Sequence, residues 1–435
     1  MHTDMAARRP VASFVSNRWT QLCIGIACMA LVANLQYGWT LFVNPMQAAH
    51  PDWVKASIQL AFSIFVVVET WLVPIEGWLV DRFGPRPVVA AGAVLVGAAW
   101  IMDSHATTLT MLYAAAVVAG LGAGCVYGTC VGNALKLFPD RRGLAAGLTA
   151  AGFGAGAALT VIPIANMIRN SGYQATFFAF ALIQGFAIFL LALLLVRPQA
   201  PAHAKVTARV RSTSRDFSPR EMVKTPVFWL LYFIFVAVAA GGLMATAQIG
   251  PIAKDYGVAT EQFMIFGAMM PLLTLTLSVD NLANGLTRPL CGFLSDRIGR
   301  ENTMFIVFLG EGLALLGLLH FGRDPVAFLI FAPLIFLFWG EIFSIFPAVC
   351  ADTFGARNAA ANAGTLYTAK GTASLLVPLA SVLSRGGKWA AVFYFSAAIC
   401  IVAALLARFL LKPMRERYLA AAPLPAAAAA PAGDD

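Results

Sequence analysis

The amino-acid sequence predicts an all-α integral membrane protein with twelve transmembrane helices arranged as two pseudo-symmetric six-helix bundles. Composition, a series of long apolar segments and an internal repeat predict this fold class. Of the 435 residues, 60% are hydrophobic and 12% are charged, a balance more apolar than that of ordinary soluble domains. A membrane-spanning helix needs about 20 apolar residues. Twelve segments approach that length, at residues 19–43, 57–80, 88–102, 109–136, 143–168, 175–196, 227–253, 262–293, 303–320, 326–350, 358–384 and 390–411.

The spacing of these segments predicts the domain organisation. It comprises an N-terminal tail (1–18), a six-helix bundle (19–196), a charged linker (197–226), a second six-helix bundle (227–411) and an Ala/Pro-rich tail (412–435) that we expect to be disordered. Most of the 30 Lys and Arg residues fall on one side of this arrangement. The positive-inside rule then predicts a multi-pass protein of the cell (inner) membrane with both termini in the cytoplasm. The net charge of +9 therefore orients the chain in a lipid bilayer and does not indicate binding to nucleic acid.

An internal repeat relates the two halves. The loop after the second predicted helix and the loop after the eighth share Gly, Leu, Asp, Arg and Gly at an offset of 215 residues. Glycine permits tight turns and the aspartate can pair with a neighbouring arginine or a helix end. We expect a conformational role for the charged and glycine residues of both copies, which are Gly77, Asp81, Arg82, Gly84, Arg86, Gly292, Asp296, Arg297 and Gly299.

The repeated Gly-x-Leu-x-Asp-Arg-x-Gly pattern resembles the loop between helices 2 and 3 of the major facilitator superfamily, and the second copy falls where that family repeats it. The resemblance covers the chain apart from its two tails. It implies the major facilitator fold, in which two six-helix bundles rock about a central site.

Two basic residues lie deep in the predicted helices. Arg288 is eight residues before Asp296, about 12 Å along a helix from the repeated loop. Lys370 is close to the middle of the eleventh predicted helix, and the repeat aligns these two positions with Val73 and Ala155. Ionisable residues inside a membrane are costly and mark functional sites. Two cations in a low-dielectric site favour a small anion, and the planar fork of Arg288 suits a carboxylate.

Several segments resemble the bacterial oxalate:formate antiporter family. They begin at Gln36, Phe138, Asn284 and Ala369 and read QYGWT, FPDRRGLAAG, NGLTRP and AKGTAS. The resemblance implies exchange of small carboxylates, most simply oxalate for formate, and it implies that Arg288 and Lys370 bind the carboxylates. Residues that it places around the substrate are Gln36, Tyr37, Tyr127, Trp339 and Tyr367.

The sequence also departs from that family. It has Phe153 and Phe343 where the family has tyrosines, and Tyr367 where the family has a tryptophan. Three acidic residues stand at intramembrane positions where uncharged residues are expected. We predict roles in proton coupling or charge balance for Glu69, Asp280 and Glu341, whereas Glu76 and Glu311 are predicted to be peripheral.

The alternative from the same fold is a proton-coupled carrier of lactate-like monocarboxylates. That branch typically has an aspartate four residues before the arginine of the eighth helix, and this chain has Asn284, which cannot titrate. A membrane-embedded enzyme or receptor is a weaker alternative, because the sequence offers no nucleophile with an oriented base and no large soluble domain. No metal site or cofactor is indicated, and we expect a monomer whose partners are small carboxylate anions and lipid.

Overall fold

The computed structural model describes residues 16–198, 212–213, 215–265, 268–376 and 389–421. The chain divides into two compact units. Unit 1 comprises Met1–Phe138 and Leu148–Lys205, and unit 2 comprises Pro139–Gly147 and Val206–Asp435. A short stretch between Phe138 and Leu148 therefore belongs with the C-terminal part of the chain.

Unit 1 is helical throughout its described residues, apart from short turns. Its helices are α1 (Arg18–Val32), α2 (Asn34–Tyr37), α3 (Trp39–Ala49), α4 (Lys55–Trp71), α5 (Val73–Phe83), α6 (Pro85–Ser104), α7 (Leu109–Leu137) and α8 (Arg142–Leu194), of which α8 begins in unit 2. The first predicted helix is divided at Ala33 and Gly38, and the second at Leu72. The fifth and sixth predicted helices form the single element α8, which changes direction at Gly172, where φ is 82°.

Unit 2 contains the remaining elements. They are α9 (Pro219–Met222), α10 (Pro226–Asp255), β1 (Gln262–Ile265), β2 (Ala268–Pro271), α11 (Leu272–Ile298), α12 (Arg300–Phe321), α13 (Pro325–Trp339), α14 (Ile342–Phe354), α15 (Ala359–Ser374), α16 (Ala390–Leu405), a π-helical turn (Leu406–Leu411) and α17 (Lys412–Ala421). The part of the eleventh predicted helix beyond Leu376 lies outside the described residues.

Two predicted boundaries are corrected. The eighth predicted helix does not begin at residue 262, because β1 and β2 form an antiparallel pair in which Gln262 lies opposite Pro271. Pro271 is extended, with ψ at 137°, and proline disfavours the helical conformation in the residue before it, so α11 begins at Leu272. The tail predicted to be disordered from residue 412 is helical to Ala421.

The described residues contain 8 helices that are long and apolar enough to cross a membrane, or 9 when the bent pair Leu60–Trp71 and Val73–Phe83 is one span. The second predicted helix meets this test only as the bent pair, and the fifth, which is the first part of α8, the eighth and the eleventh do not meet it. In α11 the charges of Asp280, Arg288, Asp296 and Arg297 lower the mean hydropathy. The same polar residues that make this helix a candidate for function therefore weaken its apolar signal.

Close packing in unit 1 depends on glycines of α7. A Cβ atom at Gly120 would lie 2.7 Å from the Cβ atom of Val68, and one at Gly124 would collide with the carboxyl group of Glu76. Small residues let helix backbones approach closely. The glycine face of α7 therefore brings Glu76 of α5 into the interior of unit 1.

The two copies of the repeated loop have similar backbones and different partners. Gly84 and Gly299 end their helices with φ of 90° and 96°, a conformation that favours glycine. Asp81 accepts a hydrogen bond from Lys136 at the end of α7, and Arg197 Nη2 donates to the carbonyl of Asp81 over 3.2 Å. Arg86 Nε donates to the carbonyl of Leu195 over 3.2 Å.

In the second copy, Asp296 caps the start of α8. It accepts the backbone N–H groups of Gly143 and Leu144 over 3.0 and 2.9 Å, and Nη1 of Arg300 lies 2.6 Å from it. A carboxylate is favoured there because helix N-termini carry unsatisfied N–H donors and partial positive charge. The sequence allows the loop aspartate to pair with an arginine or a helix end; Asp81 pairs with the side chain of Lys136, whereas Asp296 contacts both a helix start and an arginine. Gly77 and Gly292 lie within their helices, and the guanidinium groups of Arg82 and Arg297 lie over the rings of Trp78 and Phe293, at 5.3 and 4.1 Å from the centroids.

A buried ion network in unit 2 is centred on Asp352 of α14. Its two carboxylate oxygens accept from Arg142 Nη1 over 2.6 Å and from Arg300 Nε over 2.8 Å. Arg415 of α17 lies close by and donates to Glu301 over 2.6 Å and to the hydroxyl of Thr353 over 2.8 Å. All these charges are nearly inaccessible to solvent. The network joins the ends of α8, α12, α14 and α17.

We predict that Asp352→Asn destabilises the protein by about 3–5 kcal/mol, because it removes the carboxylate that pairs with the buried Arg142 and leaves the buried Arg300 with only Asp296. The measurement is the apparent melting temperature of the purified protein in detergent. Asp280→Asn is the matched control, since both oxygens of Asp280 are buried without a hydrogen-bond partner among the described residues. A larger loss of stability in the control than in Asp352→Asn would contradict the structural role of this network.

Candidate functional site

Arg288 lies in the interior of unit 2, with 1% of its surface exposed. It belongs to α11, one residue before Pro289, which lacks the N–H that would otherwise bond to the preceding turn. Its Nη2 atom donates to Oδ1 of Asn284 over 2.7 Å. The side-chain amide of Asn284 in turn donates to the carbonyl of Phe336 in α13 over 3.3 Å. A neutral amide thus positions the guanidinium and is itself held by the neighbouring helix.

Lys370 is also a buried cation of unit 2, with 5% of its surface exposed. Tyr367 lies three residues earlier on α15, so the two side chains share a helix face. The ammonium donates to the phenolic oxygen of Tyr367 over 3.0 Å. Another neutral group therefore orients this cation.

The ring of Phe343 in α14 brings these two cations into one cluster. Arg288 Cζ lies 4.6 Å and Lys370 Nζ lies 5.5 Å from its centroid. An aromatic face attracts cations electrostatically, and the effect is larger when the site excludes water. The ring therefore offsets part of the free-energy cost of placing both charges in the interior. It also keeps the two cations close to the same aromatic side chain.

The aromatic wall of this cluster continues on both sides of Phe343. The ring centroid of Trp339 is 5.8 Å from that of Phe343, and the centroid of Tyr367 is 6.3 Å from it. The indole N–H of Trp339 is buried and has no hydrogen-bond partner among the described residues. Buried donors are nearly always satisfied in proteins. This donor therefore fits a bound acceptor, such as an anion or a water molecule.

The predicted site residues of unit 1 form a second cluster. Tyr37 and Tyr127 each pack edge-on against Phe153, with both pairs of ring centroids 5.5 Å apart. Gln36 precedes Tyr37 on α2, and its Oε1 atom is buried without a hydrogen-bond partner among the described residues. The structure thus brings Tyr37 and Tyr127 together through Phe153, a position that the sequence singled out only as a departure from the family pattern.

The intramembrane acids are all buried. Glu69, Asp280 and Glu341 have no exposed surface. Asp280 lies two turns before Arg288 on α11, and neither of its oxygens accepts a hydrogen bond from the described part of the chain. Glu69 lies within electrostatic reach of Glu76, and Glu341 within reach of both Arg288 and Glu311.

The prediction that Glu76 and Glu311 are peripheral is wrong. Glu76 is 3% exposed and Glu311 is fully buried. Each packs against a cysteine thiol, that of Cys125 in unit 1 and that of Cys400 in unit 2. Their positions in the sequence do not reveal this, because burial depends on which helices pack over them.

Sequence reasoning also missed the roles of Phe343 and Asn284. Phe343 was noted as a substitution and Asn284 as a residue that cannot titrate, yet one lies against both cations and the other orients Arg288. The spacing of four residues between Asn284 and Arg288 on one helix was the available signal for the second contact. No local pattern signals the first, since Phe343, Arg288 and Lys370 lie on three different helices.

An all-α fold with apolar spans and buried cations in the helix interior defines a multi-pass membrane protein of the transporter class. The chain matches the Major Facilitator Superfamily over residues 22–378 and, in a second match, over residues 272–432. The chain belongs to this family.

A protein described as an oxalate:formate antiporter, from Oxalobacter formigenes, is 34% identical over 403 residues, which cover 92% of this chain and 93% of that protein. Human monocarboxylate transporter 11 is 26% identical over 310 residues, covering 67% of this chain and 61% of that one. Among solved structures, the Escherichia coli fucose:proton symporter FucP is similar with a TM-score of 0.66 and 15% identity, covering 90% of this chain and 98% of that one. The last of these similarities supports the fold alone.

We predict that Phe343 and Arg288 are energetically coupled. In a double-mutant cycle of Phe343→Leu and Arg288→Met, the coupling free energy should be about 0.5–2 kcal/mol, the range of a cation–π contact. Stability in detergent is measured for the two single variants and the double variant.

The control cycle pairs Arg288→Met with Phe346→Leu. Phe346 is a buried aromatic residue of the same helix that stacks on Phe235 at a centroid distance of 4.2 Å. Equal coupling in the two cycles would contradict a specific contact between Arg288 and the ring of Phe343.

Proposed function

We propose that this chain is a secondary active transporter that exchanges small carboxylates, oxalate for formate, by alternating access. The observation that carries the proposal is the arrangement of Arg288 and Lys370 around the ring of Phe343. The 34% identity to a protein described as an oxalate:formate antiporter supports the same substrate class.

The chemistry of this cluster suits an anion with two carboxylates. Arg288 offers a planar fork that can bind one carboxylate in bidentate fashion, and Lys370 offers a point charge for the other. The indole N–H of Trp339 adds a buried donor. The phenol of Tyr367 and the amide of Asn284 hold the cations in place, which lowers the ordering cost on binding.

Exchange follows from the same charges. An anion compensates the positive charge of Arg288 and Lys370, so the loaded site can be buried at lower cost than the empty one. A carrier that changes conformation faster when loaded exchanges one anion for another and transports little of either anion when no exchange partner is present on the other side. We include Gln36, Tyr37 and Tyr127 of unit 1 among the proposed substrate-contacting residues, with Glu69, Asp280 and Glu341 as charge-balancing groups.

The proposal also covers location and assembly. We place the protein in the cell (inner) membrane as a monomer with both termini in the cytoplasm. The repeated loops with Asp81 and Asp296 then lie on the cytoplasmic side, where their contacts with Lys136 and with the start of α8 change as the carrier alternates.

The second candidate is a proton-coupled symporter of monocarboxylates. The similarity to human monocarboxylate transporter 11 and the buried acids of unit 2 favour it. Asn284 argues against it, because this residue cannot carry a proton.

We predict that proteoliposomes containing the purified protein take up radiolabelled oxalate when they are preloaded with oxalate or formate, and much less when they contain only buffer. The physical reason is the slow return of the empty, positively charged site. Uptake into buffer-loaded vesicles that an acid-outside gradient drives, and that preloading does not change, would instead identify the symporter.

Arg288→Gln and Lys370→Gln are each predicted to lower exchange by roughly a hundred-fold or more, because loss of a charged hydrogen bond to a buried group costs about 1.5–3 kcal/mol and each change also removes one of the two charges. Uptake is measured at matched amounts of inserted protein. Arg323→Gln is the control, since Arg323 is exposed between α12 and α13. Undiminished exchange in both site variants would remove this site assignment.

Tyr367→Phe keeps the ring and removes only the acceptor for Lys370. We predict that the KM for oxalate rises roughly ten-fold, which corresponds to about 1.5 kcal/mol for a hydrogen bond to a charged group. Tyr394→Phe, an exposed tyrosine of α16, should leave the KM unchanged. Equal KM values for Tyr367→Phe and the unmodified protein would mean that this hydrogen bond does not position Lys370 for substrate.

A further inference from the structure

Two carboxyl groups of unit 2 lie in its interior beside the proposed anion site. Glu311 of α12 and Glu341, the residue before α14, have no exposed surface. None of their four oxygens has a hydrogen-bond partner of good geometry in the described part of the chain. An ionised carboxylate buried without donors is costly, and it is tolerated when a cation lies opposite or when the group takes up a proton.

Glu341 stands at a break in the middle of an apolar span. The span Pro325–Phe354 is interrupted where α13 ends at Trp339 and α14 begins at Ile342. Gly340 allows α11 to pass closely, because a Cβ atom there would lie 2.6 Å from the carbonyl oxygen of Asn284. The missing side chain of Gly340 therefore brings Glu341 to the turn of α11 that carries Arg288.

The second carboxyl group, that of Glu311, lies beside α10 and α16. A Cβ atom at Gly241 of α10 would lie 3.6 Å from Oε1 of Glu311 and 2.6 Å from the sulfur of Cys400 in α16. Titratable or charged groups within electrostatic reach of this pair are Arg288 and Cys291 of α11 and Cys400 of α16. Glu341 thus lies within electrostatic reach of both the guanidinium of Arg288 and the carboxyl group of Glu311, and two thiols are further polar neighbours of the pair.

The charges of this group include both cations at the ring of Phe343, Arg288 and Lys370. With one proton on the two carboxyl groups, two cations face one carboxylate, which leaves a net charge of about +1, and a bound oxalate dianion would change it to about −1 in a low-dielectric interior. Compensation then requires that a carboxylate accept a proton from water on the open side of the protein, which forms a carboxyl O–H bond and leaves no charge on that group.

We propose that Glu311 and Glu341 form a proton-binding site that controls the availability of Arg288 to the substrate anion. With the site deprotonated, the carboxylate of Glu341 competes with the substrate for Arg288; with a proton bound, Arg288 is released to the substrate. This inference rests on the proposed function in one respect, the assignment of Arg288 to an anion. It adds a coupled proton to that function. The proton is bound by Glu311 and Glu341, and not at position 284, where the monocarboxylate carriers typically have an aspartate.

Thermodynamic linkage makes the proposal testable by binding. If protons strengthen anion binding, the anion must strengthen proton binding by the same factor. Purified protein in weakly buffered detergent solution should therefore take up protons when oxalate is added, at pH values at which oxalate remains a dianion. For one linked proton, oxalate affinity should weaken by up to about ten-fold for each unit rise in pH across the titration.

The variant Glu341→Gln should abolish proton uptake on oxalate addition, and the affinity for oxalate should become independent of pH. Glu311→Gln leaves Glu341 able to bind the proton but removes its acidic neighbour, so the uptake should move to lower pH. Glu76→Gln is the matched control, because Glu76 is also a buried carboxyl group beside a cysteine, in unit 1. It should retain the proton uptake. Elution of each variant as a single species in detergent verifies that the fold is kept.

Infrared difference spectroscopy across a pH titration gives a readout that needs no substrate. The unmodified protein should show the C=O band of a protonated carboxyl group. Glu341→Gln or Glu311→Gln should remove or shift this band, and Glu76→Gln should leave it unchanged. If these band changes are observed but oxalate does not bind, the proposed substrate is refuted and the proton site is supported. Oxalate binding that is independent of pH and takes up no protons would overturn the coupling, and a band unaffected by both variants would overturn the site itself.

Discussion

Arg288 places a guanidinium inside an apolar helix bundle, where an uncompensated charge costs several kcal/mol. The neighbouring residues make contacts that reduce this cost. Asn284 accepts one of its N–H groups, the ring of Phe343 lies beneath it and Glu341 lies within electrostatic reach. Lys370 depends on the same ring and on Tyr367. Asn284, Tyr367 and the ring of Phe343 thus orient both cations at one place in unit 2.

The buried charges around Asp352 are stabilised differently, by pairing with opposite charges. There two guanidinium groups, those of Arg142 and Arg300, meet one carboxylate at hydrogen-bond distance, and Asp296 adds a second carboxylate to Arg300. Charges satisfied by opposite charges at short range join helix ends and are not available to a small ligand. The same residue types thus stabilise the structure in one part of unit 2 and form a candidate binding site in another, and the difference lies in what they contact.

The internal repeat is retained in the loops and altered in the interior. Gly84 and Gly299 adopt the same positive φ, whereas the position that aligns with Glu76 is Cys291. Glu76 packs against Cys125 of α7 in unit 1. In unit 2 the aligned thiol of Cys291 lies within electrostatic reach of Glu341, next to the position that aligns with Cys125. Each unit therefore has an acid close to a thiol, but the acid comes first along the chain in unit 1 (Glu76 and Cys125) and the thiol comes first in unit 2 (Cys291 and Glu341). The exchange places the carboxyl group of unit 2 within electrostatic reach of Arg288.

Much of the fold was predictable because membrane helices leave a strong local signal. Apolar length predicted twelve spans, of which 8, or 9 with the bent pair, are long and apolar enough among the described residues, and the repeat predicted the two halves. The strand pair before α11 was not predictable, because the segment 262–271 is as apolar as a helix, and only Pro271 indicates where the helix must begin. The helical start of the C-terminal tail was likewise missed, since Lys412 to Ala421 has low hydropathy and is held by the contact of Arg415 with Glu301.

The sequence by itself determined the family, and it predicts the two bundles and the depth of Arg288 and Lys370, because these depend on residue type and on distance along a helix. Only the tertiary structure decided that both cations share Phe343, that Asn284 holds one of them and that Glu311 is buried rather than peripheral. The physical reason is that each of these facts joins side chains from different helices. Which helices pack together, and how closely, is set by small residues such as Gly340 and Gly241, whose effect appears only when the helices are assembled.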